Sequence, residues 1–326
     1  MAVYTPVSDS DVEVFLAGYD LGRPRALKGI AEGIENSNFL LETTRGRFIL
    51  TLYERRTSEA DLPFFLELMR HAADHGFACP LPQAARDGSL LGRLNGRPAA
   101  IVSFLPGLSA ATPSLAQVRA AGEGCARLHL ATAGFPGRRA NALGRRAWRP
   151  LWIPHRELAE RLRPGLAALI DADLDVLDAG WPEDLPRGVI HADLFPDNVF
   201  FARDEQGRER FAGAIDFYFA CEDALAYDLA IMLGCWASRA DGALDPQAAR
   251  ELVDGYAAVR PLSHAERAAL PMLAQGAAMR FFLTRLADWE ADRPGALVKR
   301  KDPLEYADKL AFHRAAGGRL PFLEAA

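Results

Sequence analysis

Only four cysteines occur among 326 residues, and none stands in a C-x-x-C pair. Cys79, Cys125, Cys221 and Cys235 are too scattered for a zinc site or a disulfide framework. Buried, reduced thiols in a cytoplasmic protein are therefore expected. Long apolar runs are missing as well. Nothing approaches the ~18 consecutive apolar residues of a membrane helix, and Ala224–Ala237 is interrupted by Asp228. Met1–Pro6 lacks a basic region followed by an apolar stretch, so no signal peptide is expected. Positive charge is not in excess either: the net charge is −5 and the pI about 5.9, which gives no footprint for nucleic acid. Arg138-Arg139 and Arg145-Arg146 read as solvated faces or local ion pairs. No repeat and no long low-complexity segment is present. What the chain does have is a hydrophobic share of 50%. A chain of this length buries roughly three quarters of its unfolded surface, as one large domain or two coupled lobes.

Two polar interruptions of apolar runs carry the chemistry. In Val189–Phe201 a short apolar run enters His191-Ala192-Asp193-Leu194-Phe195-Pro196-Asp197-Asn198, and a second apolar run follows. In Phe211–Phe217 another strand-like run ends abruptly at Asp216. Asp and Asn between strands commonly serve turns, and an H-x-D pair alone would also suit a metal-dependent hydrolase. The ordered pair H-x-D-x-x-x-x-N and I-D-F resembles the catalytic loop and metal-binding Asp of the kinase-like phosphotransferases. That resemblance implies Asp193 as the carboxylate that orients an acceptor hydroxyl and takes its proton. It implies Asn198 and Asp216 as oxygen ligands of the Mg²⁺ that bridges the phosphates of ATP. A positioned acid or base contributes about 10²–10⁴-fold in rate.

The first third reads as a small sheet with one main helix. A short helix is expected from Asp9 to Ala17, capped by Ser8 or Asp9. Turn residues then separate β-prone runs at Arg25–Glu32, Asn38–Thr43 and Arg47–Tyr53, which predicts an antiparallel meander. The turn Gly33–Asn38 stands where kinase-like folds place a phosphate-covering loop, so Gly33, Asn36, Ser37 and Asn38 are candidates for ATP. Such folds usually carry a Lys on the third strand, but Thr51 stands there and supplies no charge. Lys28 and Arg55 are the candidate replacements, and the gap also motivates a rival reading as a non-catalytic pseudokinase. Ser58–Gly76 reads as a helix with Leu62, Phe65, Leu66 and Met69 on its core stripe. His71 and His75 are four apart but lack a third ligand, so they read as solvent-facing. Asn95-Gly96 marks a hairpin. Its second strand, Pro98–Phe104, exits at Leu105-Pro106-Gly107, like a hinge where backbone near Ser103 and Leu105 meets the adenine edge.

The remainder reads as helical around the loop. Thr112-Pro113 has the form of a helix start, with the helix running to about Leu130 and His129 packed inside it. Gly134–Pro150 reads as irregular and Pro154–Asp171 as helical. Asp228 opens an apolar helix and reads as structural, because an acid there caps backbone donors. Ala192 replaces the Arg of the protein-kinase H-R-D loop, so gating by phosphorylation is not expected and a small-molecule acceptor is.

A narrower resemblance spans nearly the whole chain. It rests on Gly33-Ile34-Glu35-Asn36-Ser37-Asn38-Phe39, Leu50-Thr51-Leu52-Tyr53-Glu54, His191–Phe201, Ile215–Ala230, Arg280–Leu286 and Lys301–Tyr306. These resemble the bacterial homoserine kinases of the kinase-like type, relatives of the aminoglycoside and choline phosphotransferases. The resemblance implies an α+β, two-lobed protein-kinase-like fold. Residues 1–105 would form an antiparallel-sheet nucleotide-binding lobe with one main helix, and residues 106–326 a mostly helical lobe holding the catalytic loop and substrate pocket. It implies ATP and Mg²⁺ as cofactors, L-homoserine as the small-molecule partner, and Thr51 as a family trait. Another hydroxylated amine, choline-like or aminoglycoside-like, is the alternative acceptor.

An amino-acid substrate needs a cation for its carboxylate, and the fork of Arg suits both oxygens. Arg280 and Arg285 share a predicted helix but point apart. Arg285 has Asp288 as a local partner, so Arg280 is the favoured carboxylate ligand. Tyr218, Glu222 and Asp223 are expected to line the pocket, with an acid meeting the ammonium, and Trp236 to wall it.

Overall fold

The structure is a computed structural model that describes residues 4–30, 36–54, 58–290, 301–320 and 323. The protein is α+β. Its described residues fall into two compact units, one holding those of Met1–Pro106 with Phe135–Gly137, the other those of Gly107–Gly134, Arg138–Asp292 and Arg300–Ala326.

The first unit opens with helix α1 (Asp9–Leu16). Ser8 and Asp11 cap it reciprocally: each side chain accepts from the other residue's backbone N–H, which satisfies two otherwise orphaned donors. Strands β1 (Pro24–Gly29), β2 (Ser37–Thr43) and β3 (Gly46–Leu52) form the expected meander, joined through β3 to the hairpin β4 (Gly92–Leu94) and β5 (Arg97–Ser103). The sheet order is β1-β2-β3-β5-β4, antiparallel throughout. Asn95 and Gly96 both have positive φ, as a tight two-residue hairpin demands. Alternation along β2 and β3 sends Phe39, Leu41, Leu50 and Leu52 into one buried cluster with Val12 and Leu16 of α1.

Between β3 and β4 lies helix α2 (Leu62–Asp74), whose Leu62, Phe65, Leu66 and Met69 are all buried, as the stripe predicts. Its start differs from expectation. Ser58 precedes a short 3-10 turn without capping it through its side chain, and the α-helix begins at Leu62 with Pro63 in its first turn. Proline suits that position because its missing N–H would be unsatisfied there anyway. His71 and His75 stack on each other, ring centroids 4.1 Å apart, and His71 is half-buried against Phe135 rather than solvent-facing.

The second unit begins with helix α3 (Leu115–Ala131). Its cap is Ser114, boxed with Gln117, two residues beyond the Thr112 expected from the proline signal. The expected irregular stretch contains α4 (Arg145–Trp152), because Trp148 and Trp152 anchor that turn in the core. The expected single helix after it is broken into α5 (Arg156–Leu162) and α6 (Leu166–Gly180), with Gly165 left-handed between them. Strands β6 (Arg187–Ile190), β7 (Val199–Arg203), β8 (Glu209–Ala214) and β9 (Cys221–Ala224) pair as β6 with β9 and β7 with β8. Helices α7 (Leu225–Trp236), α8 (Pro246–Val259), α9 (His264–Trp289) and α10 (Leu304–Ala315) complete the unit. Every residue of α7 from Ala226 to Leu233 is buried, so this helix is apolar on all sides except at Asp228. Helix α9 packs against α4, α6, α7 and α10. Its Met279, Phe282, Leu283 and Leu286 meet Trp152, Leu174 and Tyr306 in the main core cluster.

Helices α3 and α8 cross at unusually close range. A Cβ on Gly122 would lie 2.2 Å from the Leu252 carbonyl oxygen, and one on Gly255 would lie 2.2 Å from that of Arg119. Both obstacles are backbone, which cannot turn aside. Gly122→Ala is expected to force the helices apart and destabilise the protein by about 1–3 kcal/mol, read as a lowered midpoint in urea unfolding. An unchanged midpoint would contradict the close crossing.

Candidate active site

Strand β6 delivers His191, and a 3-10 turn over Pro196–Asn198 carries the loop into β7. Strand β8 delivers Ile215 and Asp216 beside it. Two hydrogen bonds to the backbone of one residue, Ile215, fasten the segments together. The Ile215 N–H donates to the Asn198 carbonyl (2.9 Å), and His191 Nε2 donates to the Ile215 carbonyl (3.0 Å). Inside the loop, Asn198 Nδ2 donates to the Asp193 carbonyl (2.9 Å) and to Asp193 Oδ2 (3.2 Å). That use of Nδ2 leaves Oδ1 as the Asn198 atom able to meet a cation. Asp216 is exposed and left-handed at φ 66°, ψ 60°. An amide oxygen and a carboxylate are hard donors and fit Mg²⁺.

The loop is held from behind by a buried acid. Asp228 Oδ2 accepts from the His191 N–H and Oδ1 from the Ala192 N–H, both at 2.8 Å. His129 Nε2 donates to Oδ2 as well (3.1 Å). Burial by itself would push the Asp228 carboxyl up. Hydrogen bonds from His129 and from the His191 N–H help outweigh it and hold the carboxyl below the ordinary value. His129 Nδ1 shares a hydrogen bond with the Tyr256 hydroxyl (2.8 Å). That hydroxyl accepts from Arg260, which pairs with the buried Glu266 (2.8 Å). The expectation of a packed His129 holds, and its polar chain was not visible in the sequence. Cys125, His129 and Asp228 lie close enough for a metal, and they are such a group among the described residues. However, both Asp228 oxygens already accept backbone donors, and burial pushes the Cys125 thiol well up. The group is a hydrogen-bonded cluster.

Arg280 is buried, with Nη1 donating to the Ala192 carbonyl (2.5 Å) and its guanidinium over Phe281. That bond uses one of the guanidinium's N–H groups and ties α9 to the loop. Trp236 also serves the loop, donating from Nε1 to the Leu194 carbonyl (2.7 Å). Glu222 pairs with Arg138, and Asp223 accepts from Asn141 Nδ2 (2.7 Å) and faces Arg187 (3.3 Å). Tyr218 is half-buried in the 3-10 turn after Asp216. Arg285 reaches Glu305 on α10 (2.6 Å) and lines a cavity of about 340 Å³ next to Phe195. Neither the cavity nor its lining from α7 and α10 was foreseen, because those residues are far apart in the chain.

In the N-terminal unit, Thr51 Oγ1 donates to Asn38 Oδ1 (2.8 Å), and Ser37 Oγ donates to Glu54 (2.7 Å). Asn36 Oδ1 accepts from the Glu54 N–H (3.4 Å). These side chains are spent inside the sheet. Lys28 is exposed on β1. Ser103 bonds Leu81 through both its N–H and its hydroxyl, and Leu105 is half-buried. Gly33 and Arg55 lie outside the described residues.

Residues 26–262 match the family described as Phosphotransferase enzyme family. The chain is 59% identical over 314 residues to the homoserine kinase of Caulobacter vibrioides, covering 96% of this chain and 98% of that one. It is 60% identical over 316 residues to the homoserine kinase of Phenylobacterium zucineum, covering 97% and 96%. Among solved structures, a microcompartment-associated aminopropanol kinase superposes with a TM-score of 0.68 at 19% identity, over 95% of this chain and 97% of that one. Amicoumacin kinase hAmiN, in complex with AMP-PNP, Ca²⁺ and Ami, superposes with a TM-score of 0.65 at 16% identity, over 96% and 93%. Those two likenesses carry the kinase-like fold.

Two measurements check the buried frame. Asp228→Asn puts an amide donor against backbone and imidazole donors, so a stability loss of order 3 kcal/mol is expected in urea unfolding. Retained stability would show that the charge is dispensable. The second is a pH series. Burial lowers His191 from 6.5 to about 4 and lowers His313 likewise. The unfolded chain therefore binds these protons first, and each histidine withdraws about 1.4 kcal/mol of stability per pH unit as pH falls through that window. Asp173 opposes them, since burial raises it to about 6 and the folded state takes its proton first. Two groups outweigh one, so the unfolding midpoint should fall from pH 6.5 to 4. A flat profile would contradict neutral buried imidazoles.

Proposed function

The chain belongs to the phosphotransferase enzyme family, and on that premise we propose that it transfers the γ-phosphoryl group of ATP to the hydroxyl of L-homoserine. The product is O-phospho-L-homoserine, a step of threonine biosynthesis. Identity near 60% over almost the whole chain to homoserine kinases supports the acceptor.

Asp193 is the residue assigned to the acceptor. Its carboxylate orients the hydroxyl and receives the proton as the oxygen attacks phosphorus. Asn198 supports that role by fixing one Asp193 oxygen through Nδ2. Asn198 Oδ1 and the Asp216 carboxylate would hold Mg²⁺, which when bound would neutralise phosphate charge. The observation that carries this reading is the Ile215 backbone, clamped between Asn198 and His191, which ties both assigned ligand segments to the base.

Residues 1–105 are read as the nucleotide-binding part and 106–326 as the part holding the loop and acceptor. Since Ser37 and Asn38 are spent on Glu54 and Thr51, backbone amides of Gly33–Asn38 are the better phosphate ligands, with Lys28 as the cation and Ser103–Leu105 at the adenine edge. The cytoplasm is the assigned location, and the four free cysteines agree with it. No helix among the described residues is long and apolar enough to cross a membrane.

Asp193→Ala should lower kcat for homoserine phosphorylation by about 10²–10⁴-fold, with KM for ATP and the unfolding midpoint little changed. Coupled-assay turnover near the parent rate would remove Asp193 from the mechanism.

A further inference from the structure

The cavity next to Phe195 has an unusual charge. Arg239, Arg285, Lys301 and Lys309 stand in its wall against a single carboxylate, Glu305. Glu305 is divided between Arg285 (2.6 Å) and Lys309 (2.7 Å), and both cations also lie over the Tyr306 ring. Lys309 donates further to the Gly234 carbonyl (2.8 Å), so these two are fixed parts of the wall. Asp245 reaches Arg239 at 3.4 Å. Lys301 is exposed, and its ammonium rests 5.3 Å from the centroid of the Phe195 ring. Among the described residues no carboxylate comes within ion-pairing distance of it.

The cavity also borders the catalytic loop. Phe195 follows Asp193 by two residues, and its N–H donates to the Asp193 carbonyl (2.8 Å). On the opposite side, Cys235 donates through Sγ to the Leu194 carbonyl (3.8 Å). An anion held over Phe195 would thus be attached to the same short loop as the base.

We propose that this cavity takes the carboxylate of the amino-acid acceptor and that Lys301 is the residue that sets the preference for it. The inference rests on the homoserine reading and adds the subsite to it. A carboxylate leaving water needs a cation and charge-assisted hydrogen bonds. The excess positive wall supplies the field, and the ring beneath Lys301 holds its ammonium in place while leaving its N–H groups for the ligand. Homoserine carries its hydroxyl and carboxylate on opposite ends of a short chain, so the hydroxyl is assigned to Asp193 and the carboxylate to Lys301. Arg280 is buried, donates to the Ala192 carbonyl and does not line this cavity.

The test compares homoserine with 3-aminopropan-1-ol, the same amino alcohol without the carboxylate, as acceptors for Lys301→Met and the parent enzyme. The variant should raise KM for homoserine roughly tenfold or more and leave KM for ATP unchanged. Its preference for homoserine over 3-aminopropan-1-ol should shrink by the same factor, and Lys301→Arg should restore most of it. A homoserine KM that stays within about twofold of the parent, or an equal loss toward both acceptors, would overturn the subsite. A parent enzyme that ignores homoserine altogether would instead overturn the reading beneath it.

Discussion

One residue governs the catalytic unit. Ala192 sits at φ 62°, a left-handed conformation that costs a non-glycine residue about 1–2 kcal/mol. It persists because its two polar ends are tied to opposite charges. Asp228 accepts its N–H, and Arg280 donates to its carbonyl. That over-determination turns the chain sharply after β6 and sets the direction in which Asp193 leaves it. The two neutral peptide groups flanking Ala192 also let the buried anion and the buried cation each find a hydrogen bond without a direct ion pair.

The rest of the helical unit can be understood as what those two charges require. Asp228 needs His129 beside it, His129 needs the Tyr256 hydroxyl, and Tyr256 needs Arg260, whose charge is met by Glu266. The chain of partners runs from α7 through α3 to α8 and α9. The close α3–α8 crossing at Gly122 and Gly255 brings its middle members within reach. Helix α7 works at both ends, with Asp228 under the loop and Trp236 on the Leu194 carbonyl. Helix α9 likewise spends Arg280 on the loop and Arg285 on the cavity wall. A polar network of this kind gains little net stability, but breaking one member leaves an uncompensated buried charge.

In the N-terminal unit the same rule acts on a smaller scale. Thr51 stands where kinase-like folds usually place a lysine, and its hydroxyl is used on Asn38 within the sheet. Glu54, nearly enclosed, is met by Arg97 at 3.1 Å and by Ser37. The third strand is therefore self-sufficient, with no buried carboxylate waiting for a lysine.

Much of this was legible in the residues themselves. Alternation in β2 and β3, the Asn95-Gly96 turn and the stripe of α2 are local patterns, and local steric and hydrophobic rules settle them. The spacing of Asp193 and Asn198 is a local pattern too, since a short loop limits where its own members can lie. Helix starts were less legible: Ser114 rather than Thr112, and Leu62 rather than Ser58, depend on which apolar residues find partners. The loop partner of Arg280 was not legible for the same reason. Helical spacing reports the angle between two arginines but not which one points at Ala192. Sequence alone determined the periodicities and the turns, because those depend on neighbours in the chain. Only tertiary structure decided which cation holds the loop and which line the cavity, because long-range burial chooses the partner of every charge.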